Sequence, residues 1–151
     1  MQKPTRKIKV FIDTNVLIAG VHSVSGASAT ILDLCEAQVL RMVVSRQVLI
    51  EADRNFTAKF PQWVGPFRQF MHNLAPLMIE DPKPESVEKA ATIVDRKDAP
   101  ILAAAQNANA DFLITSDKRH FLNPKTRQKV ILKVVSPIEF LQSFERLFLE
   151  E

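Results

Sequence analysis

The chain has a single cysteine, Cys35, among its 151 residues. That excludes an intramolecular disulfide and any multi-cysteine zinc site, and it makes a reducing cytosol the expected compartment. Only three glycines are present, too few for a repeat or low-complexity architecture. No uncharged run reaches the length of about 18 residues that a membrane span needs. The basic start MQKPTRKIK could open a secretory leader, but Asp13 and Asn15 interrupt the apolar stretch behind it and no small-residue cleavage site follows, so secretion is not expected. The patterns GxGxxG, GxxxxGK[ST] and GxSxG are all missing. Dinucleotide-binding, P-loop and α/β-hydrolase chemistry therefore lack their phosphate cradle or nucleophile elbow. His22, His72 and His120 are scattered, no two of them at a zinc-binding spacing, so each reads as a surface or structural residue.

What the chain does have is the composition of an ordinary globular protein, 46% hydrophobic and 25% charged. Its length suits one domain, 1–151, able to bury roughly 70% of the surface its unfolded form exposes. Short runs rich in β-branched and aromatic residues occur at Ile8–Asp13, Val39–Val44, Pro76–Glu80, Phe112–Thr115 and Val130–Val135, and they read as strands. Helical patterns lie between them. Ala27–Gln38, Arg46–Phe56 behind a capping Ser45, Pro61–Leu74, Glu85–Val94 and Pro100–Asn109 fit the helical period, and the last helix opens at Ser136-Pro137 with Glu139 completing a capping box. Strands alternating with helices predict an α/β domain: a mostly parallel central sheet of about five strands with helices on both faces. In such a sheet a ligand binds beyond the carboxyl ends of the strands, where strand order reverses.

Four acids are placed to meet there. Asp13 ends the first strand, in KVFIDTNVLIAG, and Asp117 follows the fourth, in DFLITSDKRHF. Glu51 lies on the helix leaving the second strand, about 9 Å of helical rise beyond Ser45. Asp98, in DRKDAPILAAA, opens the helix before the fourth strand. Each has an ordinary explanation when taken alone: a turn or helix cap for the aspartates, including a cap on a short helix starting at Lys118, and a surface position for Glu51. Together they would repel one another and raise each other's pKa unless a cation neutralised them. An oxygen-only donor set favours Mg²⁺ or Mn²⁺ over zinc.

Net charge is only +3, but Lys118, Arg119, Lys125, Arg127, Lys129 and Lys133 follow one another without an intervening acid, and Lys3, Arg6, Lys7 and Lys9 form a second cluster. Such clusters either track a phosphate backbone or are simply solvated. The stripe Trp63, Phe67 and Phe70 reads first as core and second as a partner surface.

The segments FIDTNVLIAG, SRQVLIEADRNF, DRKDAPILAAAQNANADFLITSD and VVSPIEFL resemble the successive motifs of PIN domains, in particular the VapC-like toxins of bacterial toxin–antitoxin systems. The resemblance covers residues 9–141. It implies a metal-dependent ribonuclease that hydrolyses RNA to 5′-phosphate and 3′-hydroxyl ends, with Mg²⁺ or Mn²⁺ as cofactor. Its partners would be RNA, a cognate antitoxin and a second copy of the chain. The family's acidic positions fall on Asp13, Glu51, Asp98 (or Asp95 in its place) and Asp117. Asn15 and Thr115 match its accessory polar positions, and the basic segment Lys118, Arg119, Lys125, Arg127 and Lys129 would receive nucleic acid. One departure is Ser116, where relatives often have glycine. Two other readings are a PIN-like binding module without catalysis and a haloacid-dehalogenase-like phosphatase with Asp13 as nucleophile. The second lacks its usual acid two residues on, where Asn15 stands.

Overall fold

The computed structural model describes residues 6–149, so Lys3 of the amino-terminal basic cluster lies outside the described residues. Five parallel strands, β1 (Ile8–Ile12), β2 (Leu40–Ser45), β3 (Leu77–Ile79), β4 (Phe112–Ile114) and β5 (Lys133–Val135), form one sheet in the order β3-β2-β1-β4-β5. The central strand is apolar on both faces: Val10, Phe11 and Ile12 are all completely buried, as a parallel strand covered on both sides must be. Phe11 pairs with Val43 on one side and Leu113 on the other. The chain winds outward from β1 through β2 to β3 and then returns to place β4 on β1's opposite edge. Strand order therefore reverses between β1 and β4, which makes their carboxyl ends the switch point.

The helices are α1 (Thr14–His22), α2 (Ala27–Glu36), α3 (Arg46–Lys59), α4 (Val64–Leu74), α5 (Pro84–Ala90), α6 (Ala99–Asn107), α7 (Pro124–Lys129) and α8 (Pro137–Leu149). Two capping expectations hold. The Ser45 hydroxyl accepts from the Val48 N–H at 3.2 Å. At α8 the Glu139 N–H donates to the Ser136 hydroxyl at 3.1 Å, and the Ser136 N–H donates to the Glu139 carboxylate at 2.9 Å.

Three expectations need correction. The apolar run after Asp13 is a helix that periodicity did not single out, because NVLIAGVH is hydrophobic all round and short apolar runs do not distinguish helix from strand. The run expected as a strand over 130–135 pairs only from Lys133, and the basic stretch before it carries α7, capped by Asn123, whose side chain accepts from the Thr126 N–H at 2.8 Å. No helix starts at Lys118; a turn closes there through N–H groups of Phe121 and Leu122 donating to the Asp117 carbonyl.

Gly20 allows α1 and α2 to touch: a β-carbon there would lie 2.7 Å from Leu32 Cγ and 3.0 Å from the Ser28 carbonyl oxygen. Phe67 is 3% exposed and packs on Phe56 with ring centroids 4.9 Å apart, so that part of the aromatic stripe is core. Among the described residues no single helix is long and apolar enough to cross a membrane.

Candidate active site

Asp13 leaves β1 in extended geometry and caps α1: one carboxylate oxygen accepts from the Thr14 N–H at 2.8 Å. The other accepts from the Thr115 hydroxyl at 2.7 Å. Thr115 is fully buried, and its hydroxyl oxygen also accepts the Asp117 N–H at 3.1 Å. One side chain from the end of β4 thus ties the first acid to the last. Two hydrogen bonds meet Asp13's need for partners but do not cancel its charge. Burial pushes its pKa above the usual carboxylate range, the bonds from Thr115 and Thr14 oppose that, and the charges of Glu51 and Asp117 add to it.

Glu51, on α3, is fixed from both sides. One oxygen accepts from the Thr14 hydroxyl at 2.9 Å and the other from the Gln47 amide at 2.9 Å. Asp117 is the best solvated by donors, taking the N–H groups of Arg119 and His120 at 3.1 and 2.9 Å and facing His120 Nδ1 at 3.0 Å. Burial raises its pKa, yet the backbone and imidazole of His120 outweigh burial and hold it below the ordinary value.

Asp98 is different. It precedes α6 at the position of a cap, but its side chain caps nothing. Its Oδ2 is buried and has no hydrogen-bond partner, with His120 Nδ1 3.7 Å away. Burial raises its pKa, His120 and Lys97 counter this, and Asp117 and Asp95 reinforce it. An orphaned buried carboxylate oxygen costs about 1–3 kcal/mol or more. Asp95, the alternative third acid, is 65% exposed and reaches His120 Nε2 at 3.1 Å. Ligating atoms of Asp95, Asp98 and His120 lie within 4.8 Å of one another.

His120 is the residue that sequence reasoning set aside and the fold places in the cluster. Its signal was local: three residues after Asp117, one turn of chain brings its ring back against that carboxylate. Asn15 is exposed on the first turn of α1. Ser116 has no positive φ, so replacing the glycine common at that position imposes no left-handed strain.

The arrangement is a set of carboxylates at the switch point, electrostatically linked from Glu51 through Asp13 and Asp117 to Asp98 and Asp95, with one imidazole and no lysine or arginine ion-paired to Asp13, Glu51, Asp98 or Asp117 among the described residues. Its donors are overwhelmingly carboxylate oxygens, and one of them is buried and unmatched. That chemistry fits a hard divalent cation.

The basic segment divides. Lys118, Arg119, Lys125 and Lys129 are exposed. Arg127 is engaged inside the fold, donating to both Glu139 oxygens at 2.8 and 2.9 Å and to the Leu122 carbonyl at 3.0 Å. Of the amino-terminal cluster, Arg6 pairs with Asp111 at 2.9 Å, at the opposite end of the sheet from Asp13.

Comparison with known proteins agrees with this architecture. Among solved structures, VapBC2 from Rickettsia felis, bound to a DNA fragment from its promoter, is similar over 85% of this chain and 98% of its own, at 16% identity and a TM-score of 0.60. FitAcB from Neisseria gonorrhoeae is similar over 85% and 97%, at 15% identity and a TM-score of 0.60. PAE2754 from Pyrobaculum aerophilum is similar over 89% and 92%, at 16% identity and a TM-score of 0.57. No curated protein matches by sequence. Residues 9–119 match the PIN domain family, a span that contains all four acids, Asn15 and Thr115, and the chain belongs to that family.

Proposed function

We propose that this chain is a divalent-metal-dependent ribonuclease, hydrolysing RNA phosphodiesters as the toxin component of a toxin–antitoxin system. PIN domains are generally nucleases, and the similarity in fold to VapBC2 and FitAcB supports the toxin–antitoxin setting. The observation that carries the reading is the buried Oδ2 of Asp98, which accepts no hydrogen bond and has only the His120 imidazole 3.7 Å away. A carboxylate oxygen with no donor is what a cation site requires and what a purely structural acid avoids.

Asp13, Asp98 and Asp117 would hold Mg²⁺ or Mn²⁺, with Glu51 at the other side of Asp13. A divalent ion bound there supplies a water of lowered pKa and positive charge at the phosphate. The chain's residues do the rest. Thr115 and the Thr14 N–H lock Asp13's rotamer, and the Thr14 hydroxyl does the same for Glu51, the kind of support that sets ligand geometry. Asn15, exposed at the start of α1, would orient substrate or water. Lys118 and Arg119, directly after Asp117, with Lys125 and Lys129 further along the segment, would provide exposed cations for the RNA backbone, with affinity that falls as salt rises.

The test is cleavage of end-labelled single-stranded RNA by purified protein with Mn²⁺, with Mg²⁺ and with chelator, beside Asp13→Asn. Metal-dependent cutting that disappears in the variant is expected. Cutting in chelator, or an Asn variant as active as the parent, refutes the proposal.

A further inference from the structure

Beyond the acid cluster, α3 forms one wall of an open groove of about 570 Å³ that begins at Glu51. Arg46 and Arg54 both line it. They are eight residues apart on the same face of the helix, about 12 Å along its axis. Both are exposed. Among the described residues neither forms an ion pair, as is also true of Arg41, Arg119 and Arg146, while Arg6, Arg68, Arg96 and Arg127 are paired. The acid nearest Arg54 in sequence, Asp53, is committed to Arg68 through two hydrogen bonds of 2.8 and 2.9 Å. Asp81 lines the far side of the groove but pairs with neither arginine.

Besides Gln47 and Glu51, the lining carries an aliphatic strip: Ile50, which is 39% exposed, with Pro82, Val87 and Pro100. Pro100 is two residues from Asp98, and Glu51 accepts from the hydroxyl of Thr14, whose backbone N–H donates to Asp13. The groove therefore abuts the acids from two directions. Glu51 has both oxygens engaged by the neutral Thr14 hydroxyl and Gln47 amide; it keeps its charge but forms no ion pair with either arginine.

We infer that this groove binds the RNA strand flanking the scissile phosphate, with Arg46 and Arg54 each holding a backbone phosphate and the aliphatic strip lying under ribose and base. Guanidinium groups match phosphate oxygens bidentately and keep their charge at any working pH. No aromatic ring lines the groove, so it contributes backbone grip without the stacking that selects unstacked bases. The inference rests on the nuclease reading for its substrate, but it places the strand along α3, on the side of the acids away from the Lys118–Lys129 segment.

The experiment compares the parent with R46Q/R54Q and R46K/R54K, using a fluorescein-labelled single-stranded RNA. Binding is measured by anisotropy in chelator across a salt series, and cleavage in Mn²⁺. Each lost phosphate contact on a single strand lowers the slope of log affinity against log salt by about 0.7. R46Q/R54Q is expected to lose about 1.4 of that slope and at least tenfold in affinity, to show a raised KM, and to keep the parent's melting temperature, with R46K/R54K largely restoring affinity. Unchanged affinity and slope in R46Q/R54Q overturns the inference, even if the parent cuts RNA. Arginine-dependent binding by a parent that does not cut would uphold the groove while removing the nuclease reading. A parent that binds no RNA overturns the groove.

Discussion

Asp98→Asn separates a metal-binding acid from a structural one. In the metal-free protein Asp98 is a liability: its carboxylate is 17% exposed, its Oδ2 lacks any donor, and Asp117 and Asp95 stand close enough to raise its pKa. Leaving a buried polar group unmatched costs about 1–3 kcal/mol. An amide of the same shape removes the charge and its repulsion by Asp117 and Asp95, so in chelator the variant should be more stable by about 1 kcal/mol. For a chain of this length that is roughly 2–4 °C in melting temperature. Saturating Mn²⁺ should reverse the order. An ion at a hundred times its Kd stabilises the parent by about 2.7 kcal/mol, more than the variant's advantage, while the variant, missing a ligand, gains much less. Thermal unfolding of both proteins in chelator and in Mn²⁺ gives four melting temperatures and one crossing. If Asp98→Asn is the less stable protein in chelator, the side chain has a structural role and the argument from the orphaned oxygen fails.

Thr115→Val removes the hydroxyl that joins Asp13 to the Asp117 N–H; it should cost about 1–3 kcal/mol in urea unfolding and lower kcat more than it changes KM. Glu139 is held near pKa 2 by Arg127 against an ordinary value of 4.5. Its folded pKa is depressed, so its contribution is complete above about pH 4.5 and disappears as pH falls toward about 2. The stability gap between parent and Glu139→Gln should therefore narrow through that window, and because the pair is partly exposed it should not exceed about 1 kcal/mol at neutral pH. A gap independent of pH would exclude the ion pair as its source. Gly20→Ala forces a methyl group against Leu32 and the Ser28 carbonyl; a loss of about 1–3 kcal/mol is expected, and a neutral result would show that α1 and α2 separate freely.

Periodicity and caps carried the sheet, because short, β-branched and aromatic apolar runs such as KVFI and FLIT alternate with helical patterns, the order expected of a parallel sheet covered on both faces. The helix at Thr14–His22 was hidden by its uniform hydrophobicity, and α7 by the basic residues around it. The acids were recoverable because each sits at a strand end or helix start, positions that topology places on one rim. His120 was not recoverable from histidine spacing, because its partners are carboxylates distant in sequence rather than a second ligand histidine.

Residue order alone settles that the chain is an α/β domain with Asp13, Glu51, Asp98 and Asp117 at one end of its sheet. The allowed connections narrow the topology, but the order β3-β2-β1-β4-β5 and the boundaries of α1, α7 and β5 come from the folded chain. What depends on the folded chain is the state of each acid. Asp13 receives two donors, Glu51 is clamped by Thr14, Asp117 collects N–H groups, and Asp98 is left with a bare oxygen. Arg127 turns inward to Glu139 while Arg46 and Arg54 stay unpaired over a groove. Identical residue types acquire different roles because desolvation and hydrogen-bond partners act over a few ångströms, and those distances exist only once remote segments are packed together.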